Sequence, residues 1–61
     1  MFEAIIIYAM EVCQDSHSYD GCVKWYRQCM IEQIVHHSER DFSSSGEHCA
    51  ENMPKWATEG M

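Results

Sequence analysis

The residues best able to do chemistry in this 61-residue chain are four cysteines, Cys13, Cys22, Cys29 and Cys49, and four histidines, His17, His36, His37 and His48. Thiolates and imidazoles bind zinc, and a thiolate beside an imidazole is a nucleophile. Two thiols in register form a disulfide. Spacing decides among these. Cys13 and His17 stand four apart, Cys22, Cys29 and His36 repeat at intervals of seven, and His48 and Cys49 are adjacent. A tetrahedral zinc site drawn from Cys22, Cys29, Cys49 and one His is conceivable. Against it, the chain has neither a C-x2-C knuckle nor a paired H-x3-5-H. Helical positions seven apart are also about 10 Å apart along the axis, too far to share one ion. Neighbouring helical residues diverge by about 100°, so His48 does not point at Cys49, and no glycine loop accompanies them to hold an oxyanion. The expectation is therefore no metal, no cofactor and no catalytic residue.

That leaves the cysteines as small core hydrophobes or as disulfides. Four cysteines allow three pairings, and Cys13 with Cys22 or with Cys29 across a helical hairpin is the most natural. The longest apolar run, residues 4–10, is preceded by Glu3 and does not read as a secretory leader. It is also far short of the roughly 20 residues that cross a bilayer. A cytoplasmic location is expected on these grounds, and there the thiols would be reduced.

The elements that would carry these side chains are helices. Residues 20–37 have the cleanest helical period. Cys22, Val23, Trp25, Tyr26, Cys29, Met30 and Ile34 fall on one broad face, and Lys24, Arg27, Gln28 and Glu32 on the other. This predicts a central helix of about five turns, capped at Ser18 or Asp20 and ending near His37. Residues 2–14 read as helix or strand. As a helix, Phe2, Ile5, Ile6, Ala9, Met10, Val12 and Cys13 share a face. Three consecutive isoleucines favour a strand. Length, the absence of Gly and Pro, and the lack of a partner strand decide for helix. The polar connector DSHSYD suits a turn between antiparallel neighbours. After a loop over 38–45, in which Phe42 folds back over the core, the pattern Ser44-x-x-Glu47 predicts a third helix over 45–53. Pro54 stops or kinks it, and residues 54–61 form a tail whose one candidate anchor is Trp56. The fold class is all-α: a small antiparallel helical hairpin with a short third helix in one domain, 1–61.

Charge bounds the partners. Ten acidic residues against four basic ones give a formal net charge of −6, a balance that repels nucleic acid and anionic membrane. The same charge also serves solubility. Its natural complement is a protein partner with a basic surface. The candidate contact residues are the carboxylates Glu3, Glu11, Asp15, Glu39, Asp41, Glu47 and Glu51. Ile31 and Val35, stranded on the polar side of the central helix, imply a second buried contact with the third helix or with another chain. Tyr8, Tyr19 and Trp56 are placed nearer the edges, where aromatics serve interfaces. Carboxylates four or eight apart on a helix stand about 6 or 12 Å apart, comparable to one or two phosphate steps. The expected function is therefore a small acidic, non-enzymatic inhibitor or adaptor, a nucleic-acid mimic that docks on the basic surface of a nucleic-acid-handling protein. Many phage- or mobile-element-encoded inhibitors, anti-CRISPR proteins among them, have this general size and charge. The alternatives are a zinc-stabilised Cys/His module and a homodimeric helical interaction domain.

Overall fold

A computed structural model describes residues 2–37 and 41–61, apart from the side chain of Phe2. The described residues form four helices: α1 (Phe2–Val12), α2 (Tyr19–His36), α3 (Phe42–Glu51) and the single turn α4 (Lys55–Thr58). The all-α reading holds, and the ambiguous residues 2–14 are helical. Buried positions on α1 and just past it are Ile5, Ala9 and Cys13, spaced by four as a helix requires rather than by two.

α2 is the element on which the others pack: α1, α3 and α4 all lie against it. Its fully buried residues are Cys22, Tyr26 and Met30, again spaced by four. Val23, Trp25, Cys29, Ile31 and Ile34 flank the core, while Lys24, Arg27, Gln28 and Glu32 are exposed. Cys13 lies beside Cys22 and Tyr8 beside Tyr26, so contacts advance along α2 as they recede along α1.

α1 departs from expectation in which face it buries. Ile6 and Met10, assigned to the core from the wheel, are exposed, and Tyr8 is turned inward instead. The physical reason is coverage. α1 rests chiefly on α2, and a helix covered from one direction buries a narrow stripe rather than the broad arc that composition allows. Tyr8 is drawn in by aromatic contacts. Its ring stacks on Tyr26 at 5.8 Å and meets Phe42 edge-on at 5.5 Å. Phe42 thus does fold back over the core, but from the first turn of α3 rather than from a loop.

α3 begins three residues earlier than expected because Asp41, not Ser44, caps it. The Asp41 carboxylate accepts a hydrogen bond from the Ser44 backbone N–H at 2.7 Å. Ser18 occupies the N-cap position of α2, as expected, without a side-chain cap bond. Its N–H donates instead to Ser16 Oγ.

The C-terminal residues 54–61 are not a free tail. Ser16 Oγ donates to the Ala57 carbonyl at 2.7 Å, and the His17 N–H donates to the Glu59 carbonyl at 2.8 Å. Ala57 is fully buried, and the Trp56 ring lies over Gly21 in the first turn of α2. Gly60 adopts φ +91°, and a Cβ there would stand 2.7 Å from the Asp15 carbonyl oxygen, so the approach needs glycine. The polar connector between α1 and α2 is therefore the seat of the chain's end.

All four cysteines are paired, Cys13 with Cys22 and Cys29 with Cys49, at Cα separations of 5.9 and 6.0 Å. This overturns the reduced thiols expected from a cytoplasmic location; the first pair is one of the two read as most natural across a helical hairpin. The second then follows by elimination, and it covalently ties α3 to α2. Loop-closure entropy assigns each bridge about 3 kcal/mol of stability. A core whose largest fully buried side chains among the described residues are Tyr26, Ile5 and Met30 needs that support.

Candidate functional site

The chemistry-bearing residues do not converge. The zinc set loses its sulfur ligands, since Cys22, Cys29 and Cys49 are each bonded to another sulfur. Among the described residues no three His, Cys, Asp or Glu side chains are grouped to hold an ion. The best-built polar feature is internal. Tyr26 is fully buried, and its hydroxyl donates to the Gly46 carbonyl at 2.5 Å. Burial, with Tyr8 beside it, pushes the Tyr26 phenol well above the usual tyrosine range. The group stays a neutral donor and ties α2 to α3. Gly46 permits this tie: a Cβ there would lie 3.1 Å from the Tyr8 ring and 3.3 Å from the Tyr26 hydroxyl.

The outward side of the molecule is different. Along α1, Glu3, Ile7 and Glu11 follow one another at intervals of four, a stripe in which an isoleucine stands about one turn from a carboxylate on either side. Ile7 is 58% exposed and its neighbour Met10 45%. Between α1 and the first half of α2 these residues open onto a groove in two joined parts. The first, about 340 Å³, is lined by Ile7, Met10, Glu11, Gln14 and Tyr19. The second, about 270 Å³, shares Met10 and Tyr19 and adds Asp20, Val23, Lys24 and Arg27. Its floor is apolar and its rim charged. None of Glu11, Asp20, Lys24 and Arg27 is held in an ion pair among the described residues. The groove lies at the small end of the ligand-pocket range and is open to solvent, which suits side chains of a partner better than an enclosed small molecule.

The expected contact residues divide. Glu3, Glu11 and Asp15 are exposed together on α1 and the connector. Glu47 and Glu51 are exposed on α3, one turn apart. Asp41 is exposed too, but its carboxylate is engaged as the α3 cap, and the Ser44 N–H holds its pKa below the usual carboxylate range. Glu39 lies outside the described residues. Ile31 is half-buried against the core, so its second contact is with this chain itself. Val35 is 66% exposed. Tyr8 is inside the aromatic cluster rather than at an edge, whereas Tyr19 and Trp56 are exposed. Spacing along the sequence does not reveal the groove, because its residues come from two helices. The available signal is Ile7 on the polar side of α1; Met10 joins it in the groove because α1 buries Ile5 and Ala9 instead. No helix among the described residues is long and apolar enough to cross a membrane. No family model, curated protein or solved structure matches the chain.

Proposed function

We propose that this chain is a small, non-enzymatic protein-binding module that docks through the outward face of α1 on a partner with a basic surface, and acts as an inhibitor or adaptor by occlusion. The observation that carries this reading is the stripe Glu3–Ile7–Glu11 with exposed Met10 beside it. Apolar side chains set among carboxylates suit a surface that is basic and also offers apolar contact. Such a face engages a protein partner by apolar contact as well as by charge, where a nucleic-acid mimic would rely on charge alone. A net charge of −6 steers such a partner from a distance. A nucleic-acid-handling protein is one kind of partner with the required basic face.

Four paired cysteines favour a compartment where disulfides persist over the cytoplasm. The two bridges and the seated C-terminus give a rigid support, which lowers the ordering cost of binding.

The test is capture of partners at low and high salt with the native chain and with a Glu3→Lys, Glu11→Lys, Asp15→Lys variant. Salt-sensitive capture that the triple variant loses, and that a Glu47→Lys, Glu51→Lys control retains, supports the reading. Capture indifferent to both salt and the α1 reversals overturns it.

A further inference from the structure

We infer that the groove between α1 and α2 is a directional seat for one amphipathic helix of the partner, with its basic end at the connector and its acidic end further along α2. The inference deepens the protein-binding reading and rests on it.

Three observations carry it. First, the groove between two packed helices is the place a further helix takes in a bundle, and here it is lined by Ile7, Met10, Tyr19 and Val23 and is open to solvent among the described residues. Second, its rim is not uniformly acidic. Glu11, near the end of α1, and Asp20, at the start of α2, place two carboxylates at the connector end. Lys24 and Arg27 follow one and two turns on, about 10 Å beyond Asp20 for the further of them. Two of the chain's four basic residues are thus gathered on one side of one groove. Third, these charges are not consumed internally, since none of the four is held in an ion pair among the described residues. Apolar floor supplies affinity, and the reversal of charge along the rim supplies orientation: a helix laid in backwards would set like charges against like at both ends. A second copy of this chain fits poorly, because a net charge of −6 on each copy opposes association.

The probe is a synthetic helix-favouring peptide with leucines at i, i+3 and i+7, arginines at one end and glutamates at the other. Its companions are a peptide with the two charged ends exchanged and one with alanines for leucines. Orientation is fixed by making both charge orders in both chain directions. Binding is followed by methyl NMR at Ile7, Met10 and Val23. The expected result is that one charge order moves these signals, while its exchanged counterpart and the alanine peptide bind at least about tenfold more weakly. A Lys24→Glu, Arg27→Glu variant, changed only at exposed positions, should lose that preference or invert it, and Ile7→Ser with Met10→Ser should lose binding of every peptide.

Equal binding of both charge orders, shifts confined to residues outside the groove, or groove shifts that follow protein concentration without peptide would each overturn the inference. If the peptides fail while capture remains salt-sensitive, the groove is wrong and the acidic face stands. If the ordered peptide binds while capture ignores salt and the α1 reversals, the groove stands and the acidic-face reading falls.

Discussion

Both sides of α1 carry apolar residues, and these meet opposite fates. Ile5, Ala9 and Cys13 are at most 1% exposed, pressed on α2. Ile6, Ile7 and Met10, one or two positions away, are 36, 58 and 45% exposed. Intrinsic hydropathy does not separate these sets; what separates them is where the rest of the molecule sits. Two disulfides, the Tyr26–Gly46 hydrogen bond and the C-terminal turn hold the chain together from one direction. That leaves the other side of an apolar helix uncovered. A small domain usually needs all its apolar surface for stability. One that leaves isoleucines outside has its stability supplied by covalent bridges, and the uncovered residues are free to serve binding.

The comparison breaks most visibly if the bridges are opened. Reduction of both disulfides should remove about 3 kcal/mol for each. Since small domains have only about 5 kcal/mol or so to lose, far-UV circular dichroism should show the helices melting at ordinary temperature in reductant. Persistence of the native spectrum and melting point would mean that the apolar core alone is sufficient.

The next largest effect contrasts the two faces directly. Ile5→Ala should cost about 3 kcal/mol, as a cavity in a core with few large side chains. Ile7→Ala should change stability by no more than about 0.5 kcal/mol, as at an exposed site. Chemical denaturation of the two variants compares them, and similar losses would show that Ile7 is structural.

The internal polar groups sharpen the same contrast at lower magnitude. Tyr26→Phe leaves the Gly46 carbonyl without its donor inside the protein and should cost about 2 kcal/mol. Ser45 Oγ is buried with no hydrogen-bond partner among the described residues. Ser45→Ala should therefore be neutral or stabilising in the same denaturation measurement, because it removes a polar group that gains nothing from folding.

The smallest effect is the titration of Asp41. Its folded pKa is lowered by the hydrogen bonds from Ser44, so its contribution to α3 is present above the unfolded value of about 3.9. That contribution is lost as pH falls through the lower folded value. Asp41→Asn, which keeps a capping oxygen, should flatten this acid-limb loss while leaving the neutral-pH melting point within a few degrees.

Much of the fold was legible because helices announce themselves locally. Val23, Tyr26, Met30 and Ile34 declare the central helix by spacing alone, and its expected start and end fall within one residue of those observed. The candidate site was legible only in its charges. Glu3, Glu11 and Asp15 are exposed as a helical wheel places them, but Ile6 and Met10 were assigned to the core and Tyr8 to an edge, and all three are reversed. A helical wheel knows which residues share a face, not which face meets a neighbour when apolar residues run most of the way round. The third helix was displaced for a smaller reason: Asp41 and Ser44 are both good capping residues, and only the observed geometry shows which side chain meets the free N–H.

By itself the sequence determined the all-α class, the central position of α2, the acidic surface and the absence of a recognisable catalytic motif. These depend on residue types and on spacing within about one helical turn, where backbone geometry is the same in any protein. The tertiary structure decided how the four cysteines pair, that the polar connector receives the C-terminal turn, and which isoleucines of α1 are left outside. Each of these is a meeting of residues distant in the chain, such as Cys29 with Cys49 or Ser16 with Ala57. Distance along the chain carries no information about such meetings until the helices are packed.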